Sequence, residues 1–155
     1  EWGADSRTDI ISGYGEEKFA WRIAQAMVTA REKGPIETTT DLTEIIRMAL
    51  PAFARHAKLH PEAKTYQALR IAVNDELGAL REALDKGFAR LVPGGRMAVI
   101  SFHSLEDRIV KEFFKKRADE GLGTIVTKKP IAPSEQELAI NPKARSSKLR
   151  IIEKN

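Results

Sequence analysis

The run Ser101-Phe102-His103-Ser104-Leu105-Glu106-Asp107-Arg108 gathers hydroxyls, an imidazole, two carboxylates and a guanidinium into one short stretch. Ahead of it, Met97-Ala98-Val99-Ile100 is continuously apolar and follows Pro93-Gly94-Gly95, the pattern of a strand buried on both faces. Ser104, with Asp107 three positions on, reads as a helix start in which the hydroxyl accepts from orphan amides, while Glu106 and Asp107 suit the positive end of the helix dipole. Ser101 to His103 therefore belong at the carboxyl end of a buried strand, the edge of an open α/β sheet at which ligands bind. An imidazole there suits either proton transfer or a purely structural hydrogen bond.

The elements that position this junction are mostly helical. Phe19, Ile23, Ala26, Met27 and Ala30 recur at helical spacing and predict a helix over 16–31, closed by Gly34-Pro35. Residues 1–7 have no clear periodicity. Thr38-Thr39-Thr40-Asp41, with Glu44 three beyond Asp41, predicts a second helix over 42–50, which Pro51 ends. Residues 52–61 read as a basic loop with Arg55, His56, Lys58 and His60. His56 and His60 have the spacing of a helical metal pair, but Pro61 adjoins them and no third ligand is near, so no metal site is expected. From Glu62 on, Tyr66, Leu69, Val73, Leu77, Leu80, Leu84, Phe88 and Leu91 step by three or four. They predict a core-facing stripe on one long helix, or on two with a joint near Gly78 or Gly87. Arg70 and Asn74 lie off that stripe, one turn apart, as a candidate polar site. Beyond the junction a helix continues through Ile109, Val110, Phe113 and Phe114 to Lys115-Lys116-Arg117. Two more strands are expected, at 124–127 and 147–152, with a turn or short helix at 134–137 between them.

Composition bounds the class. The chain has 155 residues, 42% hydrophobic and 31% charged, which describes a folded domain or two small lobes. It has no cysteine, so disulfides and thiolate metal sites are excluded. No apolar run approaches the roughly 18 residues of a membrane helix, and no signal-peptide pattern opens the chain; a cytoplasmic protein with no membrane partner is expected. A net charge of +4 permits a nucleic-acid partner without requiring one.

Four motifs in the same order carry a resemblance: Tyr14-Gly15-Glu16-Glu17-Lys18-Phe19; the stretch from Thr65 through Arg70 and Asn74 to Leu77; Ser101 through Lys111; and Asn141-Pro142-Lys143-Ala144-Arg145-Ser146-Ser147-Lys148-Leu149-Arg150. From about Ile10 to the end the chain closely resembles the ribosomal RNA small-subunit methyltransferase H family. The resemblance implies an α/β protein, part of a Rossmann-like class I methyltransferase fold preceded by an all-helical substrate-recognition domain. Residues 1–76 would correspond to that inserted helical domain, and residues 77–155 to the carboxyl-terminal part of the methyltransferase domain. The strand at Met97 to Ile100 would be the fifth of the sheet, and the two later strands its closing antiparallel pair. The implied activity is methyl transfer from S-adenosylmethionine to the N4 amine of a cytidine in small-subunit (16S) ribosomal RNA, with that RNA as partner.

The departure from the family pattern is as informative as the match. Family members begin with a strand and a glycine-rich turn for the cofactor. Gly94-Gly95, Gly121 and Gly123 do not fit that turn. No cofactor-binding residue is therefore expected in this chain. It reads as the carboxyl-terminal half of an enzyme, inactive without its amino-terminal half, with a free sheet edge that invites homodimerisation.

A cytosine amine is a poor nucleophile, so catalysis consists of holding it in line with the methyl donor and supplying an acceptor for its hydrogens. Asn141-Pro142 is followed by Lys143-Ala144, which is not the Pro-Pro-aromatic acceptor motif of many N4-amine methyltransferases. By position, Ser101 and His103 are the catalytic candidates facing the nucleotide. Arg108, Lys143, Arg145 and Lys148 are candidates for RNA phosphates, with Arg70 and Asn74 on the helical part. Ser104 and Asp107 are expected to cap the helix, and Arg145 is a possible partner of Glu106 or Asp107. The rival reading is a non-catalytic RNA-binding or ribosome-assembly module.

Overall fold

The chain begins with a helix that periodicity does not announce: α1 spans Ala4–Gly15 and starts within residues 1–7, which show no clear periodicity. Ile11 and Gly15 are its buried residues, too few to make an apolar stripe; packing against its neighbours supplies the stability that its own pattern lacks. These coordinates come from a computed structural model that describes residues 3–55 and 60–155, and they divide into two compact units, 1–76 and 77–155. His56 and Lys58 of the expected basic loop lie outside the described residues.

In the first unit α1 is followed by α2 (Ala20–Lys33), α3 (Thr39–Ala49), the short α4 (Ala52–Arg55) and α5 (Ala63–Asn74). Glu16 ends α1 in a left-handed conformation, φ 48°, so α2 starts four residues later than its stripe suggests. Thr38 caps α3 in a reciprocal box with Asp41, one turn ahead of the expected start. Ile11, Ala20, Ile23, Ala24, Met27, Ile46 and Leu50 form the core. Gly15 lets α1 and α5 approach, since a Cβ there would stand 2.7 Å from the Lys64 carbonyl oxygen. Glu62 accepts from Arg47 at 3.1 Å and lies 3.3 Å from His60 Nδ1.

The long helical stripe is broken, and not at a glycine. Asp75 takes a left-handed conformation, φ 46°, between α5 and α6 (Glu76–Arg90). A short polar side chain tolerates that region better than a bulky one. The break resets the helical phase. α5 buries Thr65, Ala68 and Ile71, leaving Val73 72% exposed, whereas α6 buries Leu77, Leu84 and Phe88 as expected.

In the second unit α6 leads through a turn to β1 (Arg96–Ser101), then α7 (Ser104–Asp119), β2 (Gly123–Ile125), α8 (Glu135–Ile140), a 3-10 turn (Pro142–Ser146) and β3 (Lys148–Lys154). Gly94, at φ 78°, makes the turn, and its amide donates to the Lys154 carbonyl. Lys154 Nζ in turn donates to the carbonyls of Phe88, Ala89 and Leu91 and so closes the carboxyl end of α6. β3 lies between β1 and β2, antiparallel to both, with Ser101 opposite Lys148 and Val99 opposite Arg150. The core gathers Phe88, Ile109, Val110, Phe114 and Ile152. Phe113 meets Phe88 edge-on at 5.9 Å, and the Arg117 guanidinium stands 4.9 Å over the Phe113 ring.

One expectation about β1 is overturned. The apolar run predicts a strand buried on both faces, but among the described residues β1 has β3 as its one neighbour in the sheet, and its burial alternates. Met97, Val99 and Ser101 share the more buried face with Ile152, whereas Ile100 is 58% exposed beside its partner Leu149. The apolar run is that of a central strand, yet in this chain it stands at an edge.

Candidate functional site

Strand β1 ends at Ser101 and helix α7 begins three residues later, so the junction is a tight corner. His103 caps that corner, where the sequence suggested Ser104. Its Nδ1 accepts from the Glu106 amide at 3.4 Å, while Glu106 Oε2 accepts from the amides of Phe102 and His103, at 2.8 and 3.3 Å. The imidazole and the carboxylate thus satisfy each other's orphan donors, as Ser/Thr and Glu do in a usual capping box. Because Nδ1 accepts, any proton on a neutral ring sits on Nε2. Nε2 is sealed from solvent and lies 3.3 Å from Glu106 Oε1 without hydrogen-bond geometry.

The second cluster centres on Asp107. Its position in the first turn of α7 turns it toward β3, where Lys148 and Arg150 stand two apart and therefore on the same face. Arg150 donates from two nitrogens, at 2.7 and 3.1 Å, in the forked geometry that suits a carboxylate. Lys148 Nζ adds a third bond at 3.2 Å. Arg150's hydrogen bonds hold the Asp107 carboxyl below its ordinary value; burial opposes the shift, and Lys148 adds to it. Asp107 is thus an ionised pin between helix and strand, and not the cap expected of it. Its partners are Arg150 and Lys148, not Arg145. Sequence reading passed over Arg150; the signal was there, since Lys148 and Arg150 alternate with Leu149 and Ile151 and so must share one face of β3.

Other candidates divide between the units. Ser101 is buried, and its hydroxyl donates to the Lys148 carbonyl at 3.4 Å, so Ser101, Asp107, Lys148 and Arg150 converge where β1, β3 and α7 meet. Lys143 and Arg145 are exposed on the 3-10 turn that precedes β3. Arg108 is exposed in the first turns of α7 and has an interaction partner. In the first unit Arg70 and Asn74 meet as their spacing suggests, around Glu76: Arg70 Nε lies 2.8 Å and Asn74 Nδ2 3.4 Å from Glu76 Oε1. That cluster braces the Asp75 joint.

The MraW methylase family model matches residues 1–155. The chain belongs to the MraW methylase family. It is 52% identical to the ribosomal RNA small subunit methyltransferase H of Heliobacterium mobile, over 94% of this chain and 51% of that protein. It is 47% identical to the proteins of the same name from Paenibacillus sp. (strain JDR-2) and Limosilactobacillus fermentum, over 99% of this chain and 53% and 54% of theirs. The chain therefore spans about half the length of the curated relatives it matches. Within the MraW methylase family, the α/β architecture of residues 77–155 is consistent with one part of a methyltransferase fold.

Proposed function

We propose that this chain is the carboxyl-terminal part of an S-adenosylmethionine-dependent methyltransferase that acts on the N4 amine of a cytidine in small-subunit ribosomal RNA, and that it does not transfer methyl groups by itself. The observation that carries the reading is the family match along the whole chain, together with the shared name of relatives about half identical to it. The helices of residues 1–76 serve substrate recognition, and residues 77–155 close the catalytic fold.

S-adenosylmethionine binding asks for a turn whose backbone approaches the ligand closely. The residues here do not fit that role. The corner from β1 to α7 is Phe102-His103, without glycine, and the Gly94-Gly95 turn is occupied by bonds to Val92 and Lys154. The chain's own contribution is on the nucleotide side. Asp107, Arg150 and Lys148 fix the geometry where the strand end meets α7. Lys143 and Arg145 stand exposed beside that strand end as phosphate contacts, which position RNA without reading sequence. Ser101 and His103 act by positioning: the hydroxyl ties β1 to β3 and the imidazole aims α7.

The test is methyl transfer from labelled S-adenosylmethionine to small-subunit RNA, with this chain alone, with its amino-terminal half alone and with both together. Label incorporated only with both halves is the expected result. Turnover by this chain alone overturns the inactivity. RNA binding by this chain with no turnover in any combination favours the non-catalytic assembly module.

A further inference from the structure

A second cationic feature adjoins the strand-end corner and shares Arg150 with it. Between α7 and the segment that follows β2 is a cleft of about 140 Å³, with Phe114 and Ile125 as apolar walls and Lys111, Lys115, Lys128 and Arg150 around it. That volume is close to the ~150 Å³ of a cavity known to accept a benzene-sized guest. Among the described residues no carboxylate lines it. Asp107, which neutralises Arg150, and Asp119, which pairs with Lys115, stand outside the lining. Lys111 and Lys128 make no ion pair among the described residues. Lys111 and Lys115 are one turn apart on α7, a like-charge pair that costs a helix a few tenths of a kcal/mol. The segment carrying Lys128 is pinned beside them, because Thr127 Oγ1 accepts from the Ile151 amide at 2.9 Å.

Cations held around a cleft with too few anions repel one another, and the arrangement is relieved by a bound anion. We infer that this cleft is a binding site for a phosphodiester of the RNA backbone, with Lys111 and Lys128 as the principal contacts and Ile125 against the ribose. The inference rests on the RNA-methyltransferase reading above and extends it to a face of α7 that the strand-end corner does not include. Lysines supply point charges, not a fork matched to a base edge, so the contact positions RNA and does not read its sequence.

The experiment compares the full-length natural polypeptide with its Lys111→Gln/Lys128→Gln variant, measuring the affinity for small-subunit RNA across a series of salt concentrations. Loss of two phosphate contacts lowers the slope of log K against log salt by about 1.4 to 1.8. The expected result is that loss with an unchanged melting temperature, since glutamine retains most of each side-chain stem. An unchanged slope in a variant of unchanged melting temperature overturns the cleft while leaving the RNA reading intact. A parent protein with no salt-dependent RNA binding overturns both. A second arm separates the sources of phosphate by titrating inorganic phosphate into the parent and the variant: phosphate bound by the parent and lost in the variant, while the RNA salt slope is the same in both, assigns the cleft to the free anion and overturns the RNA contact.

Discussion

Asp107 sits between two cations, and its charge is the condition for joining α7 to β3. Replacing it by asparagine leaves the half-buried Arg150 with a weaker acceptor, and we predict a loss of about 2–3 kcal/mol in urea unfolding. The pH dependence has a definite sign. The folded carboxyl lies below its ordinary 3.8, so its contribution is complete above that value and is lost as pH falls through 3.8 toward the folded value. The Asp107→Asn protein lacks this component, and the difference between the two unfolding curves should shrink over that acidic window. His103 offers a separate test. His103→Ala removes the acceptor that caps α7 and is expected to cost about 0.5–2 kcal/mol, while His103→Asn restores most of it. If turnover of the complete enzyme recovers with asparagine, the residue positions the helix. If stability recovers but turnover does not, the imidazole has a further role in the reaction. Residue types were legible at this scale; partners were not. Asp107 was named as a cap because its neighbours in sequence suggested one, whereas its bonds run to residues 41 and 43 positions away.

At the scale of elements, the apolar patterns located most of the helices and strands and misjudged their joints. The stripe from Tyr66 to Leu91 is continuous on a helical wheel, yet the helix is interrupted at Asp75, whose backbone is left-handed, with Glu76 bonded to Arg70 and Asn74 beside it. Helix α1 was missed because little of it is apolar, and its place depends on contact with α5. That contact makes a further prediction. Gly15→Ala sets a methyl group 2.7 Å from the Lys64 carbonyl oxygen, a backbone atom unable to move alone, and should destabilise the helical unit by about 1–3 kcal/mol in thermal or urea unfolding. Alanine improves helix propensity by up to about 1 kcal/mol, so a stabilised variant would mean that α1 and α5 do not pack as described.

At the scale of the molecule, each unit has its own core, and the sheet ends in β1 with Ile100 half-exposed. An apolar edge strand is a template for pairing with another chain. We predict that the 155-residue chain by itself self-associates in sedimentation experiments, with a sedimentation coefficient that rises with concentration, and that Ile100→Lys removes the effect. A chain that stays monomeric at high micromolar concentration would show the edge to be harmless. On the function proposed above, the same edge is where the amino-terminal half pairs. Amide exchange at Ala98 to Ile100 should therefore be slower in the full-length polypeptide than in this chain alone.

The sequence by itself determined the class of the protein, the order of its main elements and its kinship, because buried stripes, turn residues and long motifs are local patterns carried by side-chain type and spacing. It also placed the junction from Ser101 to Arg108 at a strand end, where the structure has it. Only the tertiary structure decided that His103 caps α7, that Asp107 binds Lys148 and Arg150, and that Lys128 joins Lys111 beside one cleft. The Asp107 and Lys128 placements depend on β3 returning between β1 and β2, a register that no local pattern encodes, whereas the His103 box is local and its choice over Ser104 is set by the extended backbone at the corner. Whether an apolar strand is central or at an edge depends likewise on its neighbours, which is why Met97 to Ile100 read as buried and stand half-open.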